Sequence, residues 1–316
     1  MTFVAGIDEA GVGPRLGPLV AASATFQGND GVLAGSLWEL LAPALAPAGQ
    51  RIVVADSKAI YRGQRDRAGF RRLEHAVLAF VAAASGLPSS LAELLQALAA
   101  PTADGHQRCP WYELDAVALP RAAPRDEIWR AAEHLTGHLG TLGSEPPRLA
   151  CEVVDERAFN RLIVNSGGKG GALLKVDKRL LRRLPGKRGE VHLDRLGGRQ
   201  RYGRWLEEVF PQAFVWTRGE DAGMSRYAVV RADGASLEVI VATGCESRQL
   251  PVALASMLAK YIRELHMVAL NRFWAARVPN LAPTAGYPAD AGRFVRQISA
   301  AAQAEGLAEQ DFVRCR

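Results

Sequence analysis

The stretch Phe3-Val4-Ala5-Gly6-Ile7-Asp8-Glu9-Ala10-Gly11-Val12-Gly13-Pro14 decides how the chain is read. Residues 3–7 are apolar and suit a strand, as do residues 19–26, and Gly11, Gly13, Pro14, Gly17 and Pro18 between them mark a tight turn. Two acids, Asp8 and Glu9, stand where the first strand ends. Side chains alternate across a regular strand, so these neighbours serve one site only if the backbone bends there, which the adjoining glycines permit. Taken alone, the phrase fits a solvated turn as well as a site.

Working outward, the apolar run 52–54 is followed by Asp56-Ser57-Lys58 and a helical stretch reaching Phe80, with Asp56 or Ser57 as its N-cap. From 86 to 147 the chain is rich in Ala, Leu and Pro, with Pro101, Pro110, Pro120, Pro124, Pro146 and Pro147 as punctuation. That composition predicts a helical insertion or lid over about residues 87–147. A strand over 150–154, a helix over about 156–164, a loop and a strand over 190–193 follow. Further strands are expected at 214–216, 227–230 and 237–241, the last two joined by Asp233-Gly234, a strong hairpin signal. A helix over about 250–273 closes the core, and another over 290–305 belongs to a C-terminal helical part from about 274 to 316. The alternation predicts an α/β fold, a mixed sheet flanked by helices, in a single domain over residues 1–316.

Composition narrows the classes. Hydrophobic residues at 48% and charged ones at 23% are those of a chain that folds around a core. The excess of Lys and Arg over Asp and Glu, 39 to 33, fits a polyanionic partner and equally a solubility surface. No apolar run approaches the ~20 residues that span a bilayer. The opening residues lack the basic-then-apolar layout of a secretory signal, so the cytoplasm is the expected compartment and no membrane is implied. Cys109, Cys151, Cys245 and Cys315 form no C-x-x-C pair, which argues against a zinc site or a disulfide framework.

Several further phrases stand in a telling order: Asp56-Ser57-Lys58, the acid Asp194 at a strand end, Cys245-Glu246-Ser247, Ala255-Ser256-Met257-Leu258-Ala259-Lys260, and Gly286-Tyr287-Pro288. Together with the opening phrase, of the form G-x-D-E-x-G-x-G-P, they resemble the type 2 ribonuclease H family, ribonucleases HII and HIII. The resemblance spans most of the chain but not residues 86–147 or the hairpin around Asp233. It implies a ribonuclease H-like fold and an endonuclease that hydrolyses the RNA strand of RNA/DNA hybrids, leaving 5′-phosphate and 3′-hydroxyl ends. It further implies that Asp8, Glu9, Asp194 and Glu246 hold two divalent ions, Mg²⁺ or Mn²⁺, whose preference for carboxylate oxygen suits that set. Gly11, Gly13, Arg15, Ser57, Lys58, Ser256, Lys260 and Tyr287 are then expected to touch or support the nucleic acid, and no organic cofactor or obligate partner subunit is expected.

Other readings remain open at this point. Glu246 also fits an acid placed at a helix start, and Asp194 a strand-end turn acid. On the wheel of the 250–273 helix, Ser256, Lys260, Arg263 and Glu264 share one arc, facing something polar or simply solvent. The segment 169–188 carries eight Lys and Arg against Asp177 alone, a pattern that suits phosphate tracking or a solvated loop. Its glycine run, Gly167-Gly168-Lys169-Gly170-Gly171, lacks P-loop spacing and reads as mobile backbone. His134 and His138 lie four apart without a third ligand nearby, and Trp111 and Tyr112 suit stacking on bases or, better, anchoring of the insertion. Ribonuclease HII usually has Arg or Lys where this chain has Val12, with Arg15 close by; an altered substrate, DNA or structured RNA, is therefore a rival, as is a non-cleaving relative that only binds. The early position of Asp8 implies that the extra N-terminal domain of ribonuclease HIII is missing.

Overall fold

Apolar runs rich in β-branched and small residues form β1 (Thr2–Ala10) and β2 (Leu19–Gly28), which lie side by side, antiparallel, in a mixed sheet. The structure is a computed structural model and describes residues 2–29, 33, 35–45, 52–100 and 109–315. After β2 come α1 (Leu37–Leu41), α2 (Ser57–Ile60), α3 (Arg67–Ser85), α4 (Leu91–Ala97) and α5 (Arg125–Thr141). Then follow β3 (Arg148–Val154), α6 (Glu156–Val164), α7 (Lys169–Leu181), β4 (Gly189–Asp194) and α8 (Gly203–Val209). The chain closes with β5 (Phe214–Glu220), β6 (Met224–Val230), β7 (Ser236–Ala242), α9 (Leu250–Ala275), α10 (Pro288–Ala304) and α11 (Glu309–Phe312).

Among the described residues the strands form one sheet in the order β3-β2-β1-β4-β7-β6-β5. β1, β4 and β7 run parallel to one another at its centre, and antiparallel strands flank them. The mixed sheet flanked by helices is the architecture expected from the sequence. β5 and β6 are longer than predicted, because cross-strand pairing carries them past the purely apolar stretch.

The sheet separates two cores, and alternation decides which residue enters which. Phe3, Ala5 and Ile7 of β1 face the core made with α6, α7 and α8, as do Val191 and Leu193 of β4 and Val239 and Val241 of β7. The opposite face packs on α9 together with α3, α4 and α5. α9 is apolar nearly all round, the pattern of a helix buried in the middle of a protein. Its first turn comes so near β1 that a side chain at Gly6 would meet Val252 N at 2.2 Å and the carbonyl carbon of Pro251 at 2.3 Å. Glycine is therefore required at position 6.

Two expectations need correction. Residues 87–147, of which 101–108 lie outside the described residues along with Pro101, do not form a lid. Leu91, Leu94, Trp111, Ile128 and Leu135 are buried in the α9 core, so this segment is a built-in part of that core. Tyr112 is buried there too, which agrees with an anchoring role for Trp111 and Tyr112. The buried carboxylate of Glu74 on α3 fixes the segment: it accepts the backbone N–H groups of Arg121 and Ala123, both at 2.8 Å, and the hydroxyl of Tyr261 at 2.8 Å.

The second correction concerns residues 169–181, which form the helix α7 instead of a loop. Gly167 and Gly168 break the chain between α6 and α7, but Leu173, Leu174, Val176, Leu180 and Leu181 recur at helical spacing and bury against the sheet. The glycine run is thus the joint between two helices. His134 and His138 meet backbone carbonyls, of Pro43 at 3.2 Å and Leu40 at 2.7 Å, and are not paired for a metal. Among the described residues no helix is long and apolar enough to cross a membrane.

Candidate active site

Topology assembles the site from three strand ends. Ile7 of β1 is paired with Leu193 of parallel β4, so the next residues, Asp8 and Asp194, stand level on adjacent strands, about 4.8 Å apart as strands are spaced. Asp194 is in turn level with Ala242, the last residue of β7, and four residues further on comes Glu246 in a short 3₁₀ turn, Cys245–Ser247, that leads into α9. All three carboxylates therefore collect at the carboxyl edge of parallel strands, where open α/β sheets place their ligands. Asp8 and Asp194 belong to the α9 face of the sheet by alternation, and Glu9 to the opposite face.

Neighbouring groups hold these acids in place. Asp194 Oδ1 accepts the backbone N–H of Cys245 at 3.2 Å, which ties the end of β4 to the turn carrying Glu246. Glu246 Oε2 accepts the Ser256 hydroxyl at 3.2 Å, and its other oxygen lies 3.9 Å from the Lys58 ammonium. Ser256 shares a second hydrogen bond with Ser57 at 3.0 Å. The Asp56 carboxylate caps α2 by accepting the backbone N–H of Lys58 at 2.7 Å, and this aims Ser57 and Lys58 at the acids. Asp56-Ser57-Lys58, Glu246 and Ser256, far apart in sequence, thus meet at one place.

The electrostatics are those of a crowded like-charge cluster. Burial raises the Asp8 carboxyl well above the usual range, and Glu9 and Glu246 add to it, while the Ser256 hydroxyl works the other way. Glu9 is pushed up to about 8, first by burial and then by Asp177, Asp194 and Glu246. Glu246 is raised by burial and by Asp56, and Lys58 is raised in turn, chiefly by Glu246. Two or more carboxylates this close cannot all ionise without a counter-charge. Among the described residues no group of three or more His, Cys, Asp or Glu is drawn together tightly enough to be a formed metal site. The donor set nevertheless fits hard divalent ions, since every candidate ligand is a carboxylate oxygen and the negative charge is concentrated on one edge.

The remaining expected residues divide. Gly11 adopts φ +90°, and a side chain there would strike the Pro18 carbonyl oxygen at 2.6 Å; Gly13 faces open space. Both follow closely on Asp8 and Glu9 in the chain, Gly11 partly buried and Gly13 exposed. Gly286 O accepts the backbone N–H groups of Arg15 at 2.7 Å and Leu16 at 3.2 Å, which docks Gly286-Tyr287-Pro288 onto the opening turn. Tyr287 is 45% exposed, with the Arg263 guanidinium 5.4 Å over its ring. Lys260 does not point its charge at the acids: it donates to Glu264 at 2.7 Å and lies over the Tyr61 ring at 5.3 Å. Arg15 reaches Glu309 on α11 at 3.8 Å, so it does not replace the basic side chain that Val12 lacks.

The basic segment is also less available than its composition suggests. Arg179 and Arg183 both pair with the buried Glu152, Arg182 donates to the Val209 carbonyl at 3.0 Å, and Lys175 to that of Asn165 at 2.7 Å. Half of the cluster therefore grips the protein itself.

Sequence reasoning missed three groups. Arg314, nearly fully buried, donates to the carbonyls of Gly11 and Val12 and lies over the Phe159 ring at 3.6 Å. Glu156 accepts the N–H of Gly17 at 2.9 Å and the hydroxyl of Tyr112 at 2.8 Å. These two hold the glycine-rich turn from beneath. The third is Asp177, buried on α7 beside Glu9.

No family model matches the chain, and no curated protein does. Solved structures do resemble it. The RNase HII of Archaeoglobus fulgidus, solved in complex with PCNA, is 16% identical with a TM-score of 0.45, over 99% of this chain and 94% of that one. The ribonuclease H2 of Pyrococcus horikoshii is 15% identical with a TM-score of 0.41, over 99% and 92%. Bst-RNase HIII, solved with Mn²⁺, is 16% identical with a TM-score of 0.39, over 99% and 66%. These structural neighbours are type 2 ribonucleases H. At such values function has to be argued from the residues of the site.

Proposed function

We propose that this protein is a divalent-metal-dependent endonuclease that hydrolyses the RNA strand of RNA/DNA hybrids. The observation that carries the reading is the convergence of Asp8, Glu9, Asp194 and Glu246, from three parallel strand ends, onto one edge flanked by Ser57, Lys58 and Ser256. A module that only binds nucleic acid gains nothing from concentrated negative charge facing phosphate.

The four acids would hold Mg²⁺ or Mn²⁺. Bound there, such ions supply a water of lowered pKa and neutralise charge on the departing 3′ oxygen. The protein's own part is positioning. Ser256 fixes the orientation of Glu246, and the Cys245 amide fixes Asp194. Lys58, largely exposed next to Glu246, offers its ammonium to a phosphate at the rim. The backbone of Gly11 and Gly13, braced by Arg314, is placed to meet the ribose 2′-hydroxyl, the group that tells RNA from DNA. Tyr287, ring exposed and docked on the same turn, presents an apolar surface to a sugar.

The test is cleavage of labelled hybrid, double-stranded RNA and double-stranded DNA, with Mg²⁺ and Mn²⁺ supplied separately. Hybrid should be cut on its RNA strand, leaving 5′-phosphate and 3′-hydroxyl ends, and Asp8→Asn should remove cleavage while preserving the fold and hybrid binding. A protein that binds hybrid and never cuts it, or that cuts without regard to the 2′-hydroxyl, refutes the proposal.

A further inference from the structure

Asp177 stands in the middle of the apolar stripe of α7, between Leu173 and Leu174 on one side and Leu180 and Leu181 on the other. It is 3% exposed, and its Oδ1 has no hydrogen-bond partner among the described residues. An ionised carboxylate buried in that state costs several kcal/mol unless a counter-charge reaches it. Of the basic residues near it on α7, Arg179 pairs with Glu152 and Lys175 donates to the Asn165 carbonyl. α7 packs on the sheet face to which Ile7 points, and Glu9, two residues further along β1, shares that face.

From this placement we infer that Asp177 is a fifth carboxylate of the divalent-cation site, offering Oδ1 to an ion held with Glu9 from the side of the sheet opposite Ser256 and Lys58. The inference rests on the reading of the four acids as cation ligands and deepens it. A cation there answers two features at once, the unpartnered buried oxygen and the like charges facing one another across the strand end. Because α7 is a rigid element packed by four leucines, this ligand is fixed in depth, whereas Glu246 sits on a short turn.

The experiment is Mn²⁺ titration of the full chain, followed by calorimetry, together with the thermal midpoint measured in chelator. Asp177→Asn keeps the side-chain shape and removes the charge. It should weaken Mn²⁺ binding by about ten- to a hundred-fold, as loss of a supporting carboxylate does, and should raise the midpoint in chelator. Asp8→Asn serves as the reference that loses cation binding under the four-acid reading. Asp177→Asn binding Mn²⁺ as tightly as the unaltered protein, while Asp8→Asn does not, overturns the role of Asp177 alone. An unaltered protein that binds no Mn²⁺ overturns the four-acid reading and this inference together. If Asp177→Asn fails to fold, the smaller Asp177→Ser carries the same comparison.

Discussion

Replacing Glu9 by Gln should stabilise the protein in the absence of divalent ions, and increasingly so as the pH rises. Glu9 has a carboxyl raised from 4.5 to about 8. The unfolded chain releases that proton near 4.5 and the folded chain holds it to about 8, so between those values the folded state binds more protons and stability falls as the pH rises. Each tenfold change in proton activity counts about 1.4 kcal/mol, which makes the cost at pH 7 at most about 3 kcal/mol, discounted because Glu9 is partly exposed. A glutamine of the same shape carries no such cost. Urea denaturation in chelator, from pH 5 to pH 8.5, would show the two proteins close together at pH 5 and separating as the pH rises. Saturating Mg²⁺ should stabilise the unaltered protein more than the glutamine variant, which keeps Asp8, Asp194 and Glu246. A variant that is equally or less stable at pH 8 in chelator would show that Glu9 is not held among like charges, and the assembly of the site from strand ends would lose its electrostatic support.

Two other outcomes test the framework. Gly6→Ala should destabilise by about 3 kcal/mol or more, because the added carbon meets the backbone of Pro251 and Val252, which cannot move aside as a side chain can; a denaturation midpoint within error of the unaltered protein would contradict the close approach of α9 to β1. Glu74→Ala should cost about 3 to 5 kcal/mol by stranding the backbone donors at Arg121, Ala122 and Ala123, with Glu74→Gln costing less; an unchanged urea midpoint would show that the segment around 121 is not bound to the α9 core.

The fold was legible wherever apolar period and turn chemistry agreed. β1, β2 and the Asp233-Gly234 hairpin follow from apolar composition and turn residues alone, and α9 from its length and apolar content. What escaped was decided by long-range burial. Residues 87–147 look accessory in sequence because prolines interrupt them, yet Trp111 and Ile128 complete the core under α9. The helix α7 was obscured by its opening glycines, whose local cost is outweighed by five buried apolar side chains. The misjudged charges share this cause: Lys260 and Arg179 pair with buried acids, and Arg15 lies near Glu309 on α11, none of which composition reveals.

Asp177 shows where the missing signal lay. An acid flanked at helical spacing by leucines is carried inward with them, and Asp177 is buried with its Oδ1 unpartnered among the described residues. Such a residue persists only if something in the folded state answers its charge. Asp8, Glu9 and Glu246 pose the same problem at the strand ends: burial and mutual repulsion raise Asp8, Glu9, Glu246 and Asp177 alike. The fold therefore concentrates on one edge an electrostatic cost that its two cores must outweigh, and a strongly positive ligand, as proposed above, is what would offset it. Reading the sequence for acids that the predicted burial disfavours, as well as for acids in motifs, would have found all five.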